Sequence, residues 1–142
     1  MTHPPVPPRS LSHPKRQRKK IQSSAEETSV EPSLLEMTRL RAAQICHSQP
    51  GMNTHVKALI AQGESSKRVQ QLEVWRGNPL YSDREKAALA ISEAIASGLP
   101  KTICAKIVHK ARTHLTNPEI IHLTLAILAV IDWNYSLTKE HH

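Results

Sequence analysis

Five residues that could transfer protons, attack an electrophile or bind a metal lie within a 20-residue stretch of the chain. They are Glu36, Cys46, His47, Ser48 and His55. A carboxylate and an imidazole can relay a proton, and a thiol becomes a nucleophile once it ionises. The same residue types bind metals, but their spacing matches neither His-Glu-x-x-His nor paired Cys-x-x-Cys templates. We therefore predict a proton-transfer site without a metal or cofactor, and keep a metal site as the weaker alternative.

The segment LLEMTRLRAAQICHSQPGMNTHVKALIAQGE, residues 34–64, resembles the signature of the AhpD-like family of alkylhydroperoxidases and carboxymuconolactone decarboxylases. In that signature a helix bearing a Glu runs into Asn-Gly-Cys-x-x-Cys-x-x-x-His and a second helix. The resemblance places Glu36 and His55 at the family's Glu and His. The two cysteine positions fall on Ser48 and Gly51, so this sequence is a divergent member without the cysteine pair.

Two further segments carry the same resemblance. WRGNPLYSDREKAALAISEAIA, residues 75–96, is similar to the family's Trp-x-x-x-x-Leu-(Phe/Tyr)-(Ser/Thr)-x-x-Glu-x-Ala-Ala-Leu-Ala segment. LTNPEIIHLTLAILAVIDWNYSL, residues 115–137, resembles its last apolar helix, with Trp133 and Asn134 at the family's Trp-Asn pair. The resemblance covers residues 33–137 and implies an all-α bundle that forms a homo-oligomer, commonly a trimer or hexamer.

The resemblance also implies thiol chemistry: one cysteine attacks a peroxide, the other forms a disulfide with it, and the Glu and His relay protons. Gly51 has no side chain, and a lone His without an oxyanion hole rarely activates a hydroxyl such as that of Ser48. We therefore expect the ordinary peroxidase cycle to be lost. Cys46 lies two residues before position 48, the position of the family's first cysteine. On a helix this offset rotates its side chain by about 200° from the direction of that cysteine, so we do not expect Cys46 to replace it.

Three functions stay open on these residues. The first is a binding or structural oligomer that has lost thiol redox chemistry. The second is a cysteine-independent acid–base enzyme of the carboxymuconolactone decarboxylase type, in which Glu36 and His55 act on a small carboxylate bound by Arg39 or Arg41. The third is residual antioxidant activity on a peroxide through Cys46.

Cap signals indicate the helices that must position these residues. Three Ser/Thr-x-x-Glu capping boxes predict helix starts, at Ser33 with Glu36, at Ser82 with Glu85, and at Thr116 with Glu119. Gly63 and Gly98 are placed for left-handed C-terminal caps. The patterns predict about six helices, at about 33–47, 52–62, 65–76, 83–97, 101–113 and 117–137. The last helix is apolar almost all round, which favours a bundle centre or a subunit interface.

Charge and composition bound the remaining possibilities. The 142 residues have room for one domain, and residues 1–25 hold six of the 19 Lys and Arg and no acid. We predict a disordered, basic, Pro-rich tail over 1–32 that could contact anionic partners, ahead of a domain over 33–142. Two cysteines 58 residues apart do not form a secreted disulfide framework, which favours a cytoplasmic protein. The apolar stretch 120–131 is short of the about 20 residues needed to span a membrane, so no membrane contact is expected.

Overall fold

A computed structural model describes residues 30–140, so residues 1–29 of the predicted 1–32 tail lie outside the described range. The described residues form six α-helices and one 3-10 turn, with no strand among them. The α-helices are α1 Pro32–Ile45, α2 Gln49–Ala61, α3 Ser66–Gln70, α4 Asp83–Ala96, α5 Lys101–Ala111 and α6 Asn117–Glu140. The all-α, six-helix prediction is confirmed.

Helices α1 and α4 form the centre of the bundle. α1 packs against α2, α4 and α6, while α4 also packs against α5 and α6. Their inner faces bury small and aliphatic side chains, among them Leu34, Met37, Leu40, Ala88, Leu89 and Ile91. Because the chain has no Phe, the core is filled mainly by Leu, Ile, Val and Ala, together with Met37, Trp75 and Tyr81.

Two of the three predicted capping boxes form. Ser82 Oγ accepts from the Glu85 backbone N–H at 3.1 Å, and the Glu85 carboxylate accepts from the Ser82 N–H at 2.8 Å. Thr116 and Glu119 make the same reciprocal pair at 3.3 and 2.9 Å. Each box satisfies two backbone N–H groups that would otherwise lack helical partners, and so fixes where α4 and α6 begin.

The third predicted capping box, at Ser33 and Glu36, is wrong. α1 begins one residue earlier, at Pro32, with Glu31 as its N-cap. Proline suits the first helical position because its missing N–H would have no helical partner there. Ser33 instead donates to Glu64 beyond the end of α2 at 2.5 Å, which leaves the Glu36 carboxylate free for longer-range contacts.

The predicted helix over 65–76 is divided into α3 and a 3-10 turn, Leu72–Val74. Val69, Leu72 and Trp75 are all buried, and they are spaced three residues apart. A 3-10 turn has about three residues per turn and brings such positions onto one face, whereas an α-helix would rotate them progressively off the core. The spacing of the buried residues therefore explains the break.

An ion-pair cluster joins the first turns of three helices. Arg84 of α4 pairs with Glu31 at the start of α1 at 2.6 Å, and with Glu119 at the start of α6. The Arg84 hydrogen bond lowers the pKa of Glu119 to about 2. Val30 is buried next to this cluster, so the folded domain includes residues on the tail side of the predicted boundary at 32.

α6 has one buried face and one exposed apolar face. Leu123, Ile127 and Val130 are buried against the rest of the bundle. The outward stripe consists of Ile121, Leu125, Leu128 and Tyr135, and Ile121, Leu125 and Tyr135 are each at least 60% exposed. Among the described helices, only α6, over Asn117–Thr138, is long and apolar enough to cross a membrane by length and composition alone. Within this single chain α6 does not occupy the bundle centre.

Candidate functional site

The carboxylate of Glu36 and the imidazole of His55 are in direct contact. Glu36 lies on α1 and His55 on α2, and Nδ1 of His55 is 2.8 Å from Oε1 of Glu36. Each side chain is only 12% exposed. An ionised carboxylate can only accept, so Nδ1 carries the proton when Glu36 is charged, and Nε2 is left as the second proton-transfer position. The structure thus brings together the two residues that the sequence suggested as an acid–base pair.

A cation completes this cluster. Arg39, one turn along α1 from Glu36, donates from its guanidinium to Oε2 of Glu36. Each oxygen of the Glu36 carboxylate therefore has one donor, His55 on one side and Arg39 on the other. Hydrogen bonds between charged groups in a partly buried position are stronger than neutral ones, so the three side chains hold one another in a defined geometry.

A left-handed cap at the end of α1 turns the chain so that α2 can return along it. His47 has a φ of 55°, the only positive φ at a non-glycine residue in the range 30–140. His47 N–H donates to Gln44 O at 3.1 Å, and Ser48 N–H donates to Ala43 O at 2.9 Å. This is the Schellman arrangement, which usually takes glycine because a side chain costs about 1 kcal/mol or more in that conformation. The glycine-type caps predicted at Gly63 and Gly98 also form, with φ of 87° and 68°.

The two positions of the family's cysteines lie at the start of α2 and have structural roles. Ser48 is the N-cap of α2, where its buried Oγ accepts the N–H of Gly51 at 3.2 Å. Gly51 is buried, and a Cβ added to it would lie 2.9 Å from Ser48 Oγ and 3.3 Å from the Ala43 side chain. A larger residue at position 51 would therefore have to displace the capping hydroxyl.

The two thiols of the chain lie apart from this arrangement. Cys46 is the C-cap of α1, and its backbone carbonyl accepts a long hydrogen bond of 3.5 Å from Asn134 of α6. Burial raises the pKa of the Cys46 thiol, so less thiolate is present at neutral pH than for a free cysteine. Cys104 lies on α5 with its Sγ 3.5 Å from the carbonyl of Leu99, and both cysteines are free thiols.

The metal site considered from the sequence does not form. Among residues 30–140, no three His, Cys, Asp or Glu side chains come together in a way that could hold a metal ion. Glu36 and His55 do meet, but Cys46 and His47 do not join them in a ligand set. Glu36 and His55 can exchange a proton, but a metal ion at this pair would lack a third protein ligand from the described residues.

Glu93 was not singled out from the sequence, yet its carboxylate connects three elements. It accepts from the Trp75 indole N–H at 2.8 Å, from Arg41 Nε at 2.9 Å, and from Arg76 at 3.0 Å. Arg41 also donates to Gln44 at 2.9 Å. The guanidinium of Arg41 is thus engaged in holding α1 to α4, and Arg39 is the arginine that reaches the Glu36–His55 pair. Trp75 and Arg41 lie 18 and 52 residues from Glu93 in the sequence, so no local spacing pattern could have identified these contacts.

The geometry defines a class of protein, an all-helical bundle whose Glu and His meet beside a loop that lacks the expected thiols. The carboxymuconolactone decarboxylase family model matches residues 19–94, more than half of the 142-residue chain. The chain belongs to the carboxymuconolactone decarboxylase family.

Two individual proteins are similar to this chain. The uncharacterised protein YdfG of Bacillus subtilis is 25% identical over 114 residues, which are 80% of this chain and 78% of that protein. A crystal structure from Agrobacterium tumefaciens superimposes with a TM-score of 0.70 at 24% identity, covering 98% of this chain and 92% of that one. That second protein is of unknown function, with a suggested role as the antioxidant defence protein AhpD. Its likeness establishes the AhpD-like fold for this chain.

Proposed function

We propose that this protein has lost the thiol peroxidase cycle and acts as a binding or structural oligomer. The observation that carries the proposal is that positions 48 and 51, where the family has its cysteines, have structural roles in this chain. Ser48 Oγ is engaged in capping α2, and Gly51 is a buried residue without a side chain. A two-thiol cycle needs a nucleophile and a resolving thiol within reach of each other, and neither position supplies one.

Cys46 is a poor replacement for the missing thiols. Its pKa is raised by burial, whereas peroxidatic thiols depend on a lowered pKa to be ionised at neutral pH. Cys104 is the only other cysteine in the sequence that could act as the resolving thiol, and it lies on a different helix, α5. Residual antioxidant activity through Cys46 therefore has no support from the electrostatics of that thiol.

The test is a peroxide-consumption assay with a dithiol reductant, run on the unmodified protein, on Cys46→Ser and, as the matched thiol control, on Cys104→Ser. We expect all three to consume peroxide at the rate of the reductant alone. Turnover by the unmodified protein that disappears in Cys46→Ser and survives in Cys104→Ser would overturn the proposal.

The oligomeric part of the proposal rests on the outward stripe of α6. Ile121, Leu125 and Leu128 follow one another at spacings of four and three residues, so they form one continuous apolar line on the helix. Such a line is unfavourable in water, and apolar surface of this kind is characteristic of obligate subunit interfaces. We propose that copies of this chain, in trimers or hexamers, cover the stripe.

Light scattering after size exclusion measures the mass directly. Leu125→Glu puts a charge at the centre of the stripe and should shift the mass towards the monomer. Val74→Glu is the matched control, because Val74 is equally exposed but belongs to the 3-10 turn away from α6. A monomeric unmodified protein, or equal loss of mass in both variants, would argue against this interface. Recovery of the chain with lipid vesicles would point to a membrane as the partner instead.

A second candidate function is acid–base catalysis without cysteines, favoured by the Glu36–His55–Arg39 cluster. The imidazole Nε2 of His55 could exchange a proton with a substrate while Glu36 stabilises the imidazolium that forms. Arg39 carries a charge that suits a small carboxylated substrate, although it shares that charge with Glu36. Mass spectrometry of the native protein for a co-purified small acid, repeated on His55→Gln, separates this candidate from the first. An acid retained by the native protein and lost in the variant places a ligand at His55, and conversion of that acid by the native protein but not by His55→Gln would support catalysis.

A further inference from the structure

A recess lies away from the Glu36–His55 pair, between α4 and α5. It is a cleft of about 620 Å³, within the range of roughly 300 to 1,000 Å³ that accommodates small molecules. Its floor consists of apolar side chains from both helices, chiefly Ala87, Ala90, Ile107 and Ala111. None of the lining residues belongs to the cluster of Glu36, Arg39 and His55.

One wall of the cleft is formed by Arg76 and by the edge of Trp75, which is only 4% exposed. The guanidinium of Arg76 stacks on the Trp75 ring with 4.3 Å between the guanidinium carbon and the ring centroid. The Glu93 carboxylate accepts from both side chains, through Oε2 from the Trp75 indole and through Oε1 from Arg76. Glu93 thus fixes the Trp75 indole, while the Arg76 side chain is 64% exposed and adds a positive charge at this wall of the cleft.

The rim of the cleft is positively charged. Lys86 and Lys110 line it from α4 and α5, together with His114 and one acid, Asp83. Within residues 30–140, neither Lys86 nor Lys110 forms an ion pair with a carboxylate. The charge has a sequence origin, because residues 94–118 hold four Lys and Arg and no Asp or Glu. Residues 33–142 hold 13 Lys and Arg against nine Asp and Glu, so the net charge of +4 of the domain is concentrated on the side of α5.

An apolar floor and a basic rim, with the cation of Arg76 at one wall, together suit a ligand with an apolar body and a single negative end. We propose that the cleft between α4 and α5 binds a small amphipathic anion, of the class of medium-chain or aromatic carboxylates. The apolar body lies on Ala87, Ala90 and Ile107, and the carboxylate pairs with Lys86 and Lys110. This site is separate from the proposed function of the Glu36–His55 pair and does not depend on whether a peroxidase cycle is present.

Calorimetric titration of the full chain with decanoate, below its micellar concentration, tests the proposal. Decyltrimethylammonium and decanol serve as the cationic and neutral probes of equal chain length. We expect saturable binding of decanoate, with at least about 10-fold weaker binding of the other two. Lys86→Glu with Lys110→Glu should weaken decanoate binding by about 10-fold or more.

The matched control is Lys101→Glu with Lys106→Glu, which changes the net charge equally but alters α5 residues that do not line the cleft. It should bind decanoate as the unmodified protein does. Ala90→Leu, which fills the floor without any change in charge, should weaken binding even if the double charge reversal fails to fold. Thermal melts of each variant verify that the bundle is intact.

Three outcomes would overturn the proposal. Equal loss of affinity in the control pair would mean that decanoate responds only to net charge. Undiminished binding in both Lys86→Glu with Lys110→Glu and Ala90→Leu would place the ligand elsewhere, for instance on the basic N-terminal segment. A fall in mass by light scattering on reversing Lys86 and Lys110 would show that a second copy of the chain fills the cleft.

Discussion

Replacing Ser48 and Gly51 with cysteine should create a disulfide without any rearrangement of the bundle. A Cβ at position 51 would lie 3.3 Å from the Cβ of Ser48. Disulfides have Cβ separations of about 3.5 to 4.5 Å, so the two positions need to move apart by only a few tenths of an ångström. The tight 2.9 Å contact with the Ser48 oxygen disappears in the double variant, because that oxygen is itself replaced.

The size of the effect follows from two opposing contributions. Loss of the Ser48 hydroxyl removes the N-cap of α2, which costs about 1 kcal/mol. A disulfide that closes a loop of about four residues stabilises the folded state by about 2 kcal/mol in the chain-entropy treatment. The loss of the cap is common to the oxidised and reduced forms of Ser48→Cys with Gly51→Cys, so these two forms should differ by the disulfide contribution alone, about 2 kcal/mol. For a domain of about 110 residues this corresponds to roughly 8 °C in melting temperature.

Circular dichroism melts with and without a dithiol reductant, together with a thiol titration, measure this difference. The two single variants are the controls, and neither should respond to reductant. Gly51→Cys alone should be the less stable of the two, because it keeps the Ser48 oxygen in the way. A double variant that retains both added thiols after oxidation, or that melts at the same temperature in both states, would refute the placement of positions 48 and 51.

The same double variant also tests the proton relay. A thiol at the N-terminus of α2 sits where the helix dipole favours a thiolate, so its pKa should fall below that of an ordinary cysteine. We expect the double variant to consume peroxide in the presence of a dithiol, and expect His55→Gln added to it to reduce that rate by at least about 10-fold. Turnover that is indifferent to His55 would mean that the Glu36–His55 pair cannot serve a thiol at this loop.

Three further predictions concern stability and charge. Glu119→Gln should destabilise the domain by about 1 to 2 kcal/mol at pH 7, a value discounted for the partial exposure of Arg84, since Arg84 lowers the pKa of Glu119 to about 2. That contribution is complete above pH 4.5 and is lost as the pH falls towards 2, so urea titrations of variant and unmodified protein should converge in acid; a constant gap would contradict the ion pair. His47→Gly should stabilise the domain by about 1 kcal/mol by relieving the φ of 55°, and a melting temperature that stays the same or falls would contradict this account of the cap. Glu36→Gln and His55→Gln should each cost about 1 to 3 kcal/mol and be strongly non-additive in a double-mutant cycle; additive losses would contradict their 2.8 Å contact.

Helix number and helix ends were predictable where the signal is local. The capping boxes at Ser82 and Thr116 act within four residues, and Gly63 and Gly98 adopt the left-handed conformation that glycine permits. The start of α2 at Gln49, three residues before the prediction, also has a local cause, because Ser48 caps it and Pro50 is tolerated in the first turn. Sequence patterns of this kind report on backbone groups whose partners are neighbours in the chain.

Contacts between distant residues could not be predicted in this way. Glu36 fitted a capping box from its spacing to Ser33, but its carboxylate is bound by His55 and Arg39. The three partners of Glu93 and the basic rim of the cleft likewise depend on the packing of helices that no periodicity specifies. The family resemblance compensated for this only in part, since it paired Glu36 with His55 and said nothing of Glu93.

The presence of the Glu36–His55 pair beside a loop without thiols at positions 48 and 51 has an explanation that requires no catalysis. The pair joins α1 to α2 across 19 residues, and α2 packs mainly against α1. Ser33 and Glu64 make a second polar link between the start of α1 and the end of α2. Removing one partner of a partly buried pair leaves the other uncompensated, so stability alone would favour keeping both. The double-mutant cycle and the peroxide assay therefore ask different questions: strong coupling establishes the pair as a structural link, and only a rate that depends on His55 would make it a proton relay.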